Sequence, residues 1–478
     1  MRTVAIGRFI SKPVKNFLFL IVGNGIRWVL SFFVTVYLAR VLGASGFGKI
    51  SFAFSIFAYG VLLSDLGLSI LGTREVARSK EGIDELTSKI LSLRFILAIF
   101  SFLILLIFSL FIPLEKDIKV LIVLYSFSIF FYAFYLDWLY RGMERMMQIA
   151  VSSILAQAVY VVLVFTFIKN QDHIQKIPFL WFGGIGIGAV FLLAIFLLRK
   201  HHLRFIIDFT LLKMSIPIGI AAIMNQVYFH FDLVTIGLMK GATSVGLYNA
   251  GFKLVTFLLT IDTAFAWVYL PMVSRLFSES KEKFKKLVFT GAKLISIIVI
   301  PLAFGGTVLG TRVIDLLYGG KFIGASPAFR ILIWAVPLTS VQSIFAFGLL
   351  GCNKGKQYSY GMIIGTATNV ILNLVLIPHF GIKGASSATI ISEVVMLGLM
   401  FLWFKKVLFV PFYYYFLKPL AATLVMLIVI ILLWKVPTLY LIVTCIFVYS
   451  FAILLVKGIT EEDLKLLKGR YDFIHRTH

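Results

Sequence analysis

The sequence predicts an all-α polytopic membrane protein of about 14 transmembrane helices, and three observations carry that prediction. Of its 478 residues, 60% are hydrophobic and the mean hydropathy is +1.00, more apolar surface than a water-facing core can hide. The apolar residues fall into fourteen runs of about 20, the length that crosses a hydrocarbon layer as helix. The connections between runs are short. None is long enough for a folded soluble domain, so neither an ATPase module nor an external catalytic domain is expected.

The runs lie near 17–39, 47–70, 90–112, 118–140, 147–168, 177–198, 214–238, 245–272, 287–310, 327–350, 357–378, 384–404, 413–434 and 437–456. Arg2, Arg8, Lys12 and Lys15 precede the first run in the manner of a signal peptide. That run continues to about Leu38 without a small-residue cleavage site, so it reads as a retained span. Asn24 and Arg27 lie inside it. Asp65 falls near the end of the second run, Arg74 just beyond it, Arg94 in the third, Asp137 in the fourth and Arg141 just after. Gly184-x-x-x-Gly188 in the sixth run reads as close helix packing and lacks the strand–turn–helix setting of a dinucleotide loop. Asn225, Tyr228 and Asp232 occupy the seventh, Lys253 and Asp262 the eighth, Lys293 the ninth and Glu393 the twelfth. The segments 278–286 and 460–474 read as short amphipathic helices at a membrane surface. Cys352 and Cys445 are far apart, which argues against a disulfide or metal role.

Net charge is +24, and its placement decides what it means. With an even number of spans, both termini share one side. Loops on that side carry 29 Lys and Arg against 12 on the other. The positive-inside rule then places both termini in the cytoplasm of a cell-membrane protein. The basic excess is an orientation signal and a contact with anionic lipid, and nucleic acid is not an expected partner.

The chain repeats itself. Gly43-Ala44-Ser45-Gly46-Phe47-Gly48 lies between the first two spans, and Gly241-Ala242-Thr243-Ser244-Val245-Gly246 between the seventh and eighth, 198 residues on. A shift of six spans implies parallel repeats: two six-helix lobes facing each other across a cavity. The expected domains are an N-lobe over 1–200, a C-lobe over 201–406, two extra helices over 407–457 and a cytoplasmic tail over 458–478.

Further motifs bring a family into view: Leu42-Gly43 through Gly48, Ser64-Asp65-Leu66-Gly67-Leu68, Gly72-Thr73-Arg74-Glu75, Trp138 with Arg141-Gly142-Met143-Glu144, and Ser215-Ile216-Pro217 leading to Asp232. Gly246-Leu247-Tyr248, Ser274-Arg275 and Ile377-Pro378-His379-Phe380-Gly381-Ile382-Lys383-Gly384-Ala385 follow. In order and spacing, from about residue 15 to 405, the chain resembles the multidrug/oligosaccharidyl-lipid/polysaccharide (MOP) exporter superfamily, and within it the Wzx-like polysaccharide flippases. The resemblance implies a MATE-like pair of lobes, fourteen helices and alternating access. It also implies a lipid-linked, polyprenyl-diphosphate oligosaccharide as cargo for cell-surface polysaccharide biosynthesis, with a polysaccharide polymerase and other pathway proteins as partners.

A charge at bilayer depth costs roughly 2.5–3.5 kcal/mol on insertion scales, so lone charges mark candidate sites. Arg27, with Asn24 on the same face, suits a diphosphate through forked bonds; an ion pair with a neighbouring helix is the competing reading. Lys253 and Asp262 are nine residues apart, about 900° of helix, and point to opposite faces. Lys253 joins the cargo-binding set. Asp262 is either an H+ or Na+ coupling group or a fixed counter-ion. Asn225, Tyr228 and Asp232 form one stripe, for sugar hydroxyls or for bonds between helices. Asp65, Arg74, Arg94, Asp137 and Arg141 form a cytoplasmic rim, structural or gating. The reading is a flippase and not an enzyme, with no cofactor or metal. A flippase for peptidoglycan precursors (lipid II) and a multidrug/cation antiporter of the same superfamily are the alternatives. A membrane glycosyltransferase or polymerase is disfavoured by the short outer loops.

Overall fold

A computed structural model describes residues 12–79 and 81–458, with side chains from Gly23 onward except at 221, 225 and 412–414. The basic start over 1–11 and the expected surface helix over 460–474 lie outside the described residues, as does the side chain of Asn225. Among the described residues the regular structure is helical: α1 (Lys12–Asp65), α2 (Leu68–Arg78), α3 (Ile83–Phe111), α4 (Lys116–Ser126), α5 (Ser128–Ala133), α6 (Asp137–Gly142), α7 (Met146–Phe167), α8 (Ile177–Leu198), α9 (Phe209–Leu258), α10 (Thr260–Glu279), α11 (Lys281–Tyr318), α12 (Ser326–Leu332), α13 (Ala335–Gly351), α14 (Gly355–Phe404), α15 (Phe412–Leu432) and α16 (Thr438–Leu455). Lipid offers backbone N–H and C=O groups no partner, so each crossing segment must satisfy its own. Among the described residues, eleven helical stretches are long and apolar enough to cross a membrane. This is an all-α, multi-pass membrane protein.

Three helices are too long for one crossing. α1, α9 and α14 run 54, 50 and 50 residues, and each contains one residue of non-helical backbone: Gly43, Gly241 and Gly381. In α9 the Tyr248 hydroxyl donates to the Asp232 carboxylate. Sixteen residues of straight helix would span about 24 Å. The chain must therefore double back at Gly241. Gly43 (φ 67°, ψ 178°) and Gly241 (φ 78°, ψ 174°) share nearly the same angles, in a region that favours glycine. The repeated motif is thus a repeated backbone turn.

The two turns also touch. A Cβ on Gly48 would lie 1.7 Å from the Ala242 carbonyl oxygen, and one on Gly246 would lie 1.9 Å from that of Ala44. Interruptions recur at the same interval. The fourth expected span breaks over 134–136, and 198 residues after Tyr135 comes Ile333, in the gap between α12 and α13. At 278–286 no separate surface helix forms. Ser280 adopts an extended conformation, accepts the Lys283 N–H and starts α11, which continues to Tyr318.

The chain divides into two compact units, Met1–Asn249 and Ala250–His478. In the first, Leu68, Val76, Ile90, Trp138, Leu139 and Phe196 belong to a shared buried core. In the second, α15 and α16 pack onto α11 through Ile297, Leu309, Met426, Ile430, Leu441 and Cys445.

Residues 201–208, between α8 and α9, form a strap along α3. The N–H groups of His202, Arg204 and Ile206 donate to Asp84 Oδ2, Ser88 Oγ and Ser92 Oγ, each at 3.0 Å. Alternate residues facing one way is the period of an extended chain, and acceptors four apart share a helix face. Lys89 adds an ion pair to Asp208 at 3.3 Å. The Asp208 carboxyl is held below its usual range by the Thr210 N–H, then the Thr210 hydroxyl, then Lys89.

Candidate functional site

Arg27 lines a cavity of about 100 Å³ in the first unit, with Tyr132, Tyr135, Ser153, Ala156, Gln157, Tyr160, Trp181, Gly184 and Ile185. Its guanidinium donates to Asn24 Oδ1 at 3.0 Å and is exposed. Among the described residues it has no carboxylate within 4.0 Å. A guanidinium with no carboxylate within 4.0 Å among the described residues, lining a cavity that also presents hydroxyl and amide groups, is equipped to take an anion from outside the chain.

The cavity walls come from three helices and a break. Ser153, Gln157 and Tyr160 follow i, i+4, i+7 spacing on α7 and so share a face. Gly184 lets α8 approach α7: a Cβ there would lie 2.8 Å from the Ala156 carbonyl, and one on Gly188 would lie 3.1 Å from the Ala156 Cβ and 3.2 Å from Ser152 Oγ. Tyr132, in α5, stands beside the break between α5 and α6, and Tyr135 lies within it. A break frees carbonyls, and Arg94 takes them: its Nη2 donates to Tyr132 O at 2.7 Å and its Nη1 to Tyr135 O at 3.1 Å. The same guanidinium, 5% exposed, meets Asp65 with Nε to Oδ1 at 3.1 Å. Asp65 also receives the Ser69 N–H and hydroxyl, which joins the end of α1 to the start of α2.

The remaining rim residues do not join this cluster. Arg141 pairs with Asp137 at 3.3 Å within α6, and exposed Arg74 only approaches Glu75, at 3.9 Å. Two of the motifs quoted from the sequence do meet. Gly72 lies under the Trp138 ring, Thr73 donates its hydroxyl to the Trp138 carbonyl at 3.0 Å, and Gly142 abuts the Thr73 carbonyl.

Asp232 is 3% exposed and turned inward, receiving the Tyr248 hydroxyl and the Leu233 N–H. Tyr228 is half-buried, edge-on to Phe229. In the second unit, Lys253 and Asp262 do not pair. Lys253 is half-buried and, among the described residues, has no carboxylate within 4.0 Å. Asp262 is 8% exposed, in the first turn of α10; its Oδ2 accepts from Ser343 at 2.8 Å and its Oδ1 has no hydrogen-bond partner among the described residues. Glu393 is buried in α14.

Hydropathy singled out Arg27 but passed over the uncharged cavity walls. The Ser153-Gln157-Tyr160 periodicity is the signal that marks one wall. A second cavity, about 560 Å³, is of another kind: the second unit lines it almost wholly with apolar side chains such as Ile297, Leu302, Met426 and Ile442.

A family model described as polysaccharide biosynthesis protein matches residues 14–277. A putative O-antigen transporter of Shigella dysenteriae is 24% identical over 399 residues, covering 81% of this chain and 98% of that protein. Among solved structures, a lipid II flippase MurJ in an inward closed conformation aligns with a TM-score of 0.77 at 19% identity, covering 94% of this chain and 99% of the other. An inward-facing multidrug resistance MATE family transporter of the MOP superfamily aligns with a TM-score of 0.66 at 15% identity, over 81% and 97%. The fold is the one these transporters share.

Proposed function

Since the chain belongs to the polysaccharide biosynthesis protein family, we propose that this MOP-superfamily membrane transporter is a flippase for lipid-linked oligosaccharide. It carries the polyprenyl-diphosphate headgroup from the cytoplasmic to the outer leaflet by alternating access, for assembly of cell-surface polysaccharide. The observation that carries this reading is Arg27, a guanidinium at a polar cavity with no carboxylate beside it among the described residues. The similarity to an O-antigen transporter along nearly that protein's whole length supports it. A cationic drug as cargo would want carboxylates in the cavity, and none of its lining residues is acidic.

Counting the doubled-back helices as two crossings each turns eleven stretches into fourteen, with both termini cytoplasmic. The two lobes related by the 198-residue repeat then exchange access to the cargo, driven by an H+ or Na+ gradient coupled through Asp262. Lys253 lies in the second lobe as a further cation for the headgroup. Asp232, bonded to Tyr248 here, joins the cargo set only if that bond opens during the cycle.

Reconstitution into liposomes with a defined polyprenyl-diphosphate oligosaccharide tests the reading. Arg27→Ala should reduce translocation at least tenfold, the loss of one charge-assisted contact of about 1.5–3 kcal/mol. The variant should remain inserted and folded. Translocation at the parent rate would overturn the assignment. Equal or faster movement of lipid II would favour the peptidoglycan-precursor alternative.

A further inference from the structure

We infer that the apolar cavity of the second unit holds one acyl chain of an anionic phospholipid, with the lipid's phosphate on Arg330. The cavity follows a single helix. Ile297, Pro301, Gly305, Leu309 and Val313 line it at intervals of four residues, a surface row that runs about 24 Å along α11. Residues such as Met426 of α15 and Ile442 of α16 close the opposite side. Its polar groups are few. The Tyr449 hydroxyl already donates to the Ile297 carbonyl at 2.6 Å, which leaves the Ser450 hydroxyl and the Cys445 thiol.

An apolar cavity of roughly 150 Å³ stays dry and takes benzene, six carbons. By that ratio about 560 Å³ takes roughly 22 carbons. Left empty, it would cost the wall atoms their dispersion contacts. Inside a membrane, hydrocarbon chains are the material at hand. One fatty-acyl chain fits that capacity and a polyprenyl tail exceeds it, so the occupant is a lipid of the bilayer and not the cargo's own tail.

Charge selects the headgroup. Arg330 follows the wall residue Phe329 and lies against α11: a Cβ on Gly310 would sit 2.9 Å from its Cγ. Its guanidinium is exposed, donates to Thr311 Oγ1 at 3.0 Å and, among the described residues, has no carboxylate within 4.0 Å. Arg312, next to the wall residue Val313, stacks on the Trp434 ring at 4.2 Å and donates to the Trp434 and Val436 carbonyls. That clamp holds the α15–α16 turn, with exposed Lys435 in it, at the same end of α11. Cations at the end of an apolar slot match a phosphate at the end of a chain. The lipid then fills the seam between α11 and the last two helices.

The test uses the whole protein, stripped of lipid in mild detergent and read by native mass spectrometry. The probes are dioleoyl phosphatidylglycerol, dioleoyl phosphatidylcholine and polyprenyl phosphate. The parent should bind one phosphatidylglycerol saturably, about tenfold more tightly than phosphatidylcholine, the contribution of one charge-assisted hydrogen bond. Arg330→Gln should bring that ratio towards one. Gly305→Phe should lose the saturable lipid by filling the slot from a position where a Cβ meets its nearest neighbour at an ordinary 3.5 Å. Ile442→Trp should do the same from α16. A parent with no saturable phosphatidylglycerol overturns the inference. So does an unchanged ratio in Arg330→Gln, or binding at parent strength in both filled variants. Displacement of the phospholipid by an equal concentration of polyprenyl phosphate also overturns it, because the slot is then the cargo's. Each of these results leaves the reading of Arg27 untouched.

Discussion

The side-chain amide of Asn249 donates to the hydroxyl of Ser51 at 2.7 Å, and the two residues hold the same place in the two copies of the 198-residue repeat. They stand three residues after Gly48 and Gly246, where each turn presses on the other's backbone. The contact is self-complementary, as between identical subunits.

That contact has no room for a side chain. Gly48→Val and Gly246→Val should each drive the two turns apart and cost about 1–3 kcal/mol through overpacking. A Ser51→Cys thiol, protected in the parent, should then react with a membrane-impermeant maleimide. Labelling that stays slow in both valine variants would mean the turns remain closed.

Arg94 serves one carboxylate and two carbonyls from a buried position. Arg94→Ala strands all three, and about 3 kcal/mol of stability should be lost. Arg94→Lys, with one ammonium in place of a fork, should recover only part. Thermal unfolding in detergent reads both. A melting temperature equal to the parent's in Arg94→Ala would show that the break over 134–136 is held by something else.

Among the described residues, Asp262 keeps one buried carboxylate oxygen without a hydrogen bond, and Ser343 on the other. Asp262→Asn should remove the dependence of transport on an imposed ion gradient, measured in liposomes with and without the gradient. Gradient dependence equal to the parent's would return Asp262 to a packing role.

The orientation is tested by a reporter fused after His478. Alkaline phosphatase there should be inactive and a fluorescent protein bright, as expected in the cytoplasm. The opposite pair of results would invert the topology.

The helical class was legible because lipid enforces it: long apolar runs leave the backbone one way to satisfy itself. The turns at Gly43 and Gly241 were legible as a repeated motif. The break over 134–136 was not, since Phe134, Tyr135 and Leu136 are apolar and the group that stabilises it, Arg94, lies about forty residues away. Arg27 and Asp232 look alike in sequence, each a lone charge in a span. Only the doubling back at Gly241, which brings Tyr248 onto Asp232, separates the exposed one from the buried one. The cavity walls stayed hidden because tyrosine and tryptophan read as hydrophobic in any run.

The strap along α3 behaves as a vernier. Two residues of extended chain advance about 6.6 Å, while four residues of helix advance about 6.0 Å. Each rung therefore slips by about 0.6 Å against the next, and by a fourth rung the accumulated offset of about 1.8 Å exceeds the tolerance of a hydrogen bond. Asp84, Ser88 and Ser92 use the three rungs available. The next pair in register would be Ile96 and Asp208, and there the chain leaves the scale: Asp208 turns to the Thr210 N–H at 3.0 Å, and α9 begins. Ile96 offers no acceptor, so with the slip already accumulated the ladder closes after three rungs, just where α9 begins.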